Sequence, residues 1–218
     1  MALAIFDLDN TLLMGDSDHR WGEYLCASGR VDAIEFAQQN DQFYASYNDG
    51  TLDIHAYLRF ALAPIAGLSP AEVEPLQREF MARWVEPMIL PKGLDLLEKH
   101  RQAGDQLLII TATNTVVTRP IANRLGVEAL LGCEAEIVDG TYSGQMVGIP
   151  SFQQGKVERL RQWARERAAA LDGAYFYSDS HNDLPLLEKV DNPVAVDPDA
   201  TLLAVARVRG WPIISLRG

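Results

Sequence analysis

Two aspartates, Asp7 and Asp9, stand at the end of a short apolar run that opens the chain. Side chains two residues apart in an extended segment point the same way, so both carboxylates are expected to face one site. Two carboxylates in a small site repel each other unless a cation lies between them or one of them carries a proton. Either arrangement is useful chemistry, although a strand-end turn with a helix cap would use the same residue types.

Further hydroxyl, basic and acidic residues follow later apolar runs. Thr111 ends one such run, and its hydroxyl could hold a phosphoryl oxygen, while Lys156 stands at the start of a helical pattern. Asp179 and Asp183 follow another run and offer oxygen ligands for a hard cation. Ligands bind beyond the carboxyl ends of the strands in open α/β sheets, so these residues are expected to converge with the first acid pair.

The elements that must position these residues are short apolar runs alternating with helical patterns, which predicts an α/β fold with a doubly wound parallel sheet. The expected strands are 2–7, 107–110, 174–177, 193–196 and 212–214. The helical patterns lie at 92–103, 115–125, 154–170, 183–189 and 199–208. Asp139-Gly140, within 134–147, is typical of the turn of a β-hairpin.

The segment 15–87 interrupts this alternation. It is rich in aromatic and helix-forming residues and shows no convincing strand pattern. A helical insertion of this length forms a second layer and not a structureless loop. We therefore expect a catalytic core domain made of 1–14 and 88–218, with a helical cap domain over 15–87.

Composition excludes several classes of protein. The 19 basic and 30 acidic residues give a net charge of −11, so binding to nucleic acid through a general electrostatic footprint is not expected. No apolar run is as long as a membrane span, and we expect a cytoplasmic protein that does not act at a membrane. The two cysteines, Cys26 and Cys133, are too few for a disulfide framework. Whether the protein is a monomer or a homodimer stays open.

In this order and spacing, the polar positions resemble the four motifs of the haloacid dehalogenase (HAD) superfamily of phosphohydrolases. The likeness is to the phosphoserine-phosphatase-like branch and covers nearly the whole chain. The matching positions are Asp7, Asp9 and Thr11 of the DxDxT motif, then Thr111, Lys156, Asp179 and Asp183. The resemblance implies a HAD-like Rossmannoid core with an inserted helical cap. Ser178 and Ala112-Thr113-Asn114 depart from the pattern of the branch, and both departures concern the pocket wall.

The resemblance also implies a mechanism. Asp7 is the expected nucleophile, which forms an aspartyl-phosphate, and Asp9 is the expected general acid and base. Thr111 and Lys156 would neutralise phosphoryl charge. The expected cofactor is Mg²⁺, held by Asp7, the main-chain carbonyl of Asp9, Asp179 and Asp183, the last directly or through water.

The expected substrate is a small phosphomonoester that bears an amine. In the phosphoserine phosphatases an acidic residue pairs with the substrate amine, and Asp16 falls at the matching spacing from Asp7, although it could instead cap the first helix of the insertion. Asn182 is expected to line the pocket. Stand-alone histidinol-phosphate phosphatases of this branch resemble the chain, so histidinol phosphate is placed ahead of phosphoserine and other small metabolites.

Other classes of function compete with this interpretation. A phosphoacceptor signalling domain groups similar residues, but its phosphorylated aspartate lies on an interior strand and its lysine comes last. Here the candidate nucleophile follows the first strand and an acid pair follows Lys156. Dehalogenases of the same superfamily do not need Asp9. A phosphomutase and a catalytically silent binding module are the remaining alternatives.

Overall fold

The first strand, β1 (Leu3–Phe6), lies in the middle of the sheet. The structure, a computed structural model, describes residues 2–217; Met1 and Gly218, the two ends of the expected core, lie outside this range. All of β1 is buried, and Ile5 lies beside Leu108 on one neighbouring strand and Phe176 on the other. A parallel strand covered on both faces needs apolar residues at every position, which β1 supplies.

Within residues 2–217, seven strands form a single sheet. Those after β1 are β2 (Gln106–Asn114), β3 (Ala129–Val138), β4 (Thr141–Val147), β5 (Tyr175–Ser178), β6 (Asn192–Val196) and β7 (Ile213–Ile214). Their spatial order is β4-β3-β2-β1-β5-β6-β7, and every neighbouring pair is parallel except β3 and β4. The chain builds one half of the sheet outward from β1 and then returns to build the other half. This reversal makes the carboxyl end of β1 a topological switch point, where open α/β sheets bind ligands.

Helices cover both faces of the sheet, as a doubly wound fold requires. The core helices are α5 (Pro91–Gln102), α6 (Thr115–Arg124), α7 (Gln154–Arg167), α8 (Leu184–Leu187) and α9 (Ala200–Arg209). The side chains of α5 and α6 pack against the face that carries Phe6, and those of α7, α8 and α9 against the face that carries Ile5. The alternation of side chains along β1 therefore divides the core into two clusters.

Four α-helices fill the insertion after β1. They are α1 (Ser17–Ala27), α2 (Ala33–Asn48), α3 (Ile54–Leu62) and α4 (Pro70–Phe80). The first three begin at aspartate N-caps, and α4 begins at a Ser69–Glu72 capping box. Aromatic rings join α2 to α3, for example Phe36 and Phe60, whose centroids lie 4.3 Å apart. The predicted helical character of this segment is thus found in the structure.

The two chain crossings between insertion and core lie side by side. Leu13 and Ile89 form an isolated antiparallel bridge, and the Met14 N–H donates to the carbonyl of Met88 at 2.7 Å. Gly15 has φ +126°, a backbone conformation that L side chains rarely adopt. The chain can therefore turn sharply out of the core at Gly15.

The structure corrects two expected elements. The sequence predicted only a hairpin within 134–147. In the structure β3 already begins at Ala129, pairs in parallel with β2 and then continues into the antiparallel hairpin with β4. The apolar run there is short and is followed by Gly132, so periodicity alone did not indicate a strand. The expected helix over 183–189 is a 3₁₀ turn, His181–Asp183, followed by the single turn of α8. No helix within residues 2–217 is both long and apolar enough to cross a membrane.

Candidate active site

Asp7 is the first residue after β1 and lies at the switch point of the sheet. Its main-chain N–H donates to the carbonyl of Tyr177 in β5 at 2.9 Å, which fixes the strand end. Lys156, in the first turn of α7, donates from Nζ to Oδ1 of Asp7 at 2.7 Å and to Oδ2 of Asp183 at 2.8 Å. One buried ammonium thus joins two buried carboxylates that come from distant parts of the chain.

The charges of this cluster do not balance. Burial raises the pKa of Asp7 to about 7, with Lys156 opposing the rise and Asp183 adding to it. Burial alone would lower the pKa of Lys156, but the carboxylates of Asp183 and Asp7 outweigh it and keep that pKa above its ordinary value. Burial, and then the charges of Asp7 and Asp183, raise the pKa of Asp179 well above its ordinary value. The cluster holds three carboxylates and one ammonium, so in its ionised form it carries excess negative charge.

This excess negative charge suits a divalent cation. The Thr11 hydroxyl donates to Oδ1 of Asp179 at 3.1 Å and accepts the Asp179 main-chain N–H, so it orients that carboxylate. No three His, Cys, Asp or Glu side chains in the described range form a complete ligand set. Mg²⁺ does not require one, because it is bound through one or two carboxylates and takes its other oxygens from water and substrate phosphate. The carboxylates of Asp7 and Asp179 fit that requirement.

Asp9 is held from two sides. Its Oδ1 accepts the main-chain N–H of Ser17 at 2.6 Å, and its Oδ2 accepts the hydroxyl of Thr113 at 2.8 Å. Burial and then the charge of Asp16 raise the pKa of Asp9 to about 7, with the bonds from Ser17 and Thr113 opposing the rise. A carboxyl with a pKa near neutrality can both give and take a proton, as a general acid and base must.

Thr111 lies in β2 beside the acid pair and is buried. Its hydroxyl oxygen accepts the main-chain N–H of Thr113 at 3.2 Å. Alternation along the strand places Thr111 and Thr113 on the same side, where the second threonine reaches Asp9. The structure therefore brings together the predicted residues from all four motifs.

Asp16 is both a helix cap and a wall of the site. Its Oδ1 accepts the main-chain N–H groups of Asp18 and His19 at 2.9 and 2.8 Å, so it is the N-cap of α1. The same residue also lines the cavity over the acid pair. Asp18 lines this cavity too: its Oδ1 accepts from Nδ2 of Asn114 at 3.2 Å, and its Oδ2 is buried with no hydrogen-bond partner.

The cavity lies between the helical insertion and the switch point, and the space within it, including the part open to solvent, is about 500 Å³. From the core it is lined by the acid pair and by the end of β2, and from the insertion by acidic and aromatic side chains. Its lining is Asp7, Asp9, Asp16, Asp18, His19, Asn40, Phe43, Tyr44, Tyr47, Leu52, Ile54, Tyr57, Thr111, Ala112 and Thr113. Four of these residues are acidic, and within the described chain no lysine or arginine lines the cavity.

Asn182 lies outside this lining. Its Oδ1 accepts from Nε2 of Gln153 at 3.0 Å, and its Nδ2 donates to the main-chain carbonyl of Tyr47 at 2.9 Å. The side chain therefore ties the end of α2 to the residue that precedes α7. Contact between Asn182 and substrate stays a prediction, and the structure gives both polar atoms of the side chain protein partners.

Sequence reasoning left several of the lining residues without a role. The sequence indicates Thr113 only as part of a departure from the family pattern, although its alternation with Thr111 is a usable signal. Asp18 comes two residues after Asp16. Both lie at the start of a predicted helix, and that position alone does not predict that both carboxylates line one cavity. Tyr47 and Tyr57 come from the packing of α2 and α3 over the core, which periodicity does not reveal.

A doubly wound core whose switch point holds an acid pair, a lysine and a second acid pair, under a helical insertion, defines a capped phosphohydrolase. The chain belongs to the haloacid dehalogenase-like hydrolases, whose family model matches residues 4–188. It is a phosphatase of the HAD superfamily, as the resemblance of its motifs implied.

Relatives of known name agree with this membership. The chain is 47% identical to a histidinol-phosphatase of Neisseria meningitidis serogroup C (strain 8013), over 99% of both chains. It is 37% identical to the phosphoserine phosphatase SerB1 of Mycobacterium tuberculosis (strain H37Rv), over 99% of this chain and 71% of that protein. A crystal structure of a protein of unknown function from Bordetella pertussis Tohama I superimposes with a TM-score of 0.93 at 42% identity, over 99% of this chain and 98% of the other.

Proposed function

We propose that this phosphatase hydrolyses a small phosphate monoester whose leaving group is cationic, with histidinol phosphate as its substrate. The observation that carries the proposal is the charge of the cavity: Asp16 and Asp18 join the acid pair, and no described lysine or arginine lines the wall. Such a wall attracts an amine and repels a carboxylate. The name of the Neisseria relative, a histidinol-phosphatase, supports the same choice.

Phosphoserine fits this cavity less well. Its carboxylate would need a cation to offset Asp16, and an arginine of the insertion such as Arg59 would have to supply it. Arg59 is exposed on α3 and does not line the cavity. Histidinol phosphate carries an amine and an imidazole and has no carboxylate, so it needs no such partner.

In the proposed reaction Asp7 is the nucleophile. One of its carboxylate oxygens attacks phosphorus as the ester P–O bond breaks, and an aspartyl-phosphate forms. Protonated Asp9 gives its proton to the leaving alkoxide. Asp9 then takes a proton from the water that attacks the aspartyl-phosphate, which returns Asp7 as a carboxylate and releases inorganic phosphate.

Lys156 and Thr111 act on the charge of the phosphoryl group. Lys156 holds Asp7 at 2.7 Å and brings a positive charge beside the phosphoryl oxygens, and the Thr111 hydroxyl lies at the end of β2 on the same edge. Phosphoryl transfer depends mainly on positioning and on neutralising spread negative charge, so these two residues stabilise the transition state.

Mg²⁺ is the proposed cofactor. Asp7, Asp179 and the main-chain carbonyl of Asp9 would hold it, with Asp183 contributing directly or through water. When bound, it supplies Lewis-acid neutralisation of the phosphoryl oxygens. Asp183 already accepts from Lys156 and from the Ser178 hydroxyl at 2.7 Å, so these two donors fix its orientation.

The proposed division of the chain follows from the same geometry. Residues 15–87 form the cap that closes the cavity, and 1–14 with 88–218 form the catalytic core. Asp16 lies at the point where the chain enters the cap, and there it would accept a hydrogen bond from the substrate amine.

The test compares kcat/KM for histidinol phosphate and phosphoserine, with Mg²⁺ present, in the wild type and in Asp16→Asn. We expect histidinol phosphate to be the better substrate of the wild type. The substitution should cost about 1.5–3 kcal/mol of transition-state binding for amine substrates, the range for a hydrogen bond to a charged group. If the wild type prefers phosphoserine, histidinol phosphate is not the substrate. Phosphate release that depends on an added sugar-phosphate acceptor would indicate a phosphomutase instead.

A further inference from the structure

Asp18 is a buried carboxylate that the proposed reaction leaves without a role. The residue is only 5% exposed, and its Oδ1 is hydrogen-bonded to Asn114 while its Oδ2 has no partner. A buried acceptor left unpaired costs free energy, more so when it is charged. Burial and then the charge of Asp16 raise the pKa of Asp18 well above its ordinary value, with the nearby Tyr57 hydroxyl opposing the rise, and no described lysine or arginine lines the cavity. The unfavourable free energy of this buried carboxylate therefore arises in the wall of the proposed substrate cavity.

Hydrogen bonds place Asp16 and Asp18 beside the proposed acid. Oδ2 of Asp9 accepts from the hydroxyl of Thr113, and Oδ1 of Asp18 accepts from Nδ2 of Asn114, the next residue along β2. The main-chain N–H of Ser17 donates to Asp9, and the main-chain N–H of Asp18 donates to Oδ1 of Asp16. Asp16 and Asp18 therefore flank the residue that holds Asp9, and all three carboxylates line one cavity.

Aromatic side chains of the cap lie near Asp18. Tyr57 lines the cavity, and its hydroxyl is close enough to Asp18 that the two groups shift each other's pKa. The ring of Phe43 lies 5.3 Å from that of Tyr57, and Tyr44 lines the same wall. A carboxylate beside aromatic faces suits a flat group that carries an N–H donor, because the faces cover the ring and the carboxylate accepts from its edge.

We propose that Oδ2 of Asp18 accepts a hydrogen bond from a ring N–H at the far end of the substrate, so that Asp18 is a specificity-determining residue for a leaving group with two nitrogen functions. The proposal rests on the proposed function and deepens it. In histidinol phosphate the ester oxygen, the amine and the imidazole come in that order along the molecule. Asp9, Asp16 and Asp18 line one cavity and offer each of these three groups a partner.

The experiment measures kcat/KM on three esters. Histidinol phosphate has the amine and the ring N–H, phenylalaninol phosphate has the amine and a ring without N–H, and ethanolamine phosphate has the amine alone. We expect the wild type to prefer histidinol phosphate to phenylalaninol phosphate by at least about 10-fold, because a site built to hydrogen-bond a group rejects the analogue that lacks it. This comparison needs no variant. Equal turnover of the two esters would overturn the assignment of Asp18.

The Asp18→Asn variant locates the effect. It should lose about 10- to 100-fold on histidinol phosphate, the loss of a hydrogen bond to a charged group, and less than about 3-fold on ethanolamine phosphate. Binding of histidinol, measured by calorimetry, should weaken by a similar factor, while Asp32→Asn, an exposed N-cap of α2 outside the cavity, should change neither ester. Equal losses on both esters would make Asp18 structural and overturn the proposal. A wild type inactive on histidinol phosphate would reject the proposed function itself.

Discussion

Ser17, the first residue of α1, donates its main-chain N–H to Oδ1 of Asp9 at 2.6 Å. The proposed acid of the core is thus held by the first residue of the first helix of the insertion. Any movement of α1 relative to β1 changes the hydrogen bonding of Asp9, and with it the pKa of that carboxyl. The geometry therefore links cap position to acid–base chemistry through one hydrogen bond.

The role of Asp7 gives the simplest prediction. Asp7→Asn should lower kcat by at least ~10³-fold, because an amide cannot form the covalent intermediate. The measurement is phosphate release from histidinol phosphate with saturating Mg²⁺. Asp95→Asn, on the core helix α5, is the matched control and should keep wild-type activity. A residual rate above a few per cent in Asp7→Asn would assign the nucleophile to another residue.

The role of Asp9 predicts a dependence on the leaving group. A general acid is needed only when the leaving oxygen is basic. Asp9→Asn should therefore lower kcat/KM for an alkyl phosphate much more than for p-nitrophenyl phosphate, whose leaving group departs without a proton. Equal losses on the two esters would remove the acid role from Asp9.

Thr113→Val tests how the pKa of Asp9 is set. The Thr113 hydroxyl stabilises the ionised form of Asp9, so its loss should raise that pKa above about 7. The acid must be protonated to act, and activity falls as pH rises through its pKa. The basic limb of the pH profile of kcat/KM should thus move to higher pH in the variant. Thr115→Val, whose hydroxyl bonds to Glu134 instead, should leave the limb in place.

The sequence predicted the residues at the strand ends better than those of the insertion. Asp7, Asp179 and Thr111 lie at positions fixed by the parallel sheet, so each strand end pointed to a convergent site. Asp18 and Tyr57 reach the cavity only through the packing of α1 and α3 on the core. That packing depends on tertiary contacts, and hydrophobic periodicity carries no information about it.

Asn182 shows the same limit within the core. Its place beside the fourth motif predicted contact with substrate. In the structure its carboxamide joins Gln153 to the carbonyl of Tyr47 near the end of α2, and these contacts were not predicted from the sequence. The position of Asn182 next to the fourth motif correctly predicted that it lies at the carboxyl edge of the sheet. Its hydrogen bond to Tyr47 depends on how the insertion packs on the core, which the sequence does not reveal.

The unpaired carboxylate of Asp18 predicts a pH-dependent cost in stability. Burial raises its pKa in the folded chain above the value in the unfolded chain. The folded state then binds more protons, so the free energy of unfolding falls as pH rises from about 4 through the folded-state pKa. Asp18→Asn does not titrate, so its Tm in EDTA should exceed that of the wild type at pH 8 and differ little at pH 4, with each kcal/mol worth about 2–4 °C. A difference in Tm that is equal at both pH values would contradict the assignment.

The last prediction concerns closure of the cap. Asn182 donates to the Tyr47 carbonyl, whereas the chain crossings near Gly15 and Met88 are joined by a main-chain hydrogen bond, and we expect the hinge to lie there. Asn182→Ala removes the tie between cap and core and leaves the hinge intact. A lost side-chain hydrogen bond of about 0.5–1.5 kcal/mol should raise KM by about 2- to 10-fold, with a smaller change in kcat, because the open cap binds substrate poorly. Hydrogen exchange at 44–50 should become faster, and a phosphate analogue with Mg²⁺ should slow it again.

The control is Asn192→Ala, which removes a comparable hydrogen bond to the Gly173 carbonyl near the amino ends of the strands. It should change neither KM nor the exchange rate at 44–50. Unchanged exchange in Asn182→Ala would show that the cap is held closed by its other contacts and that Asn182 does not control access to the cavity.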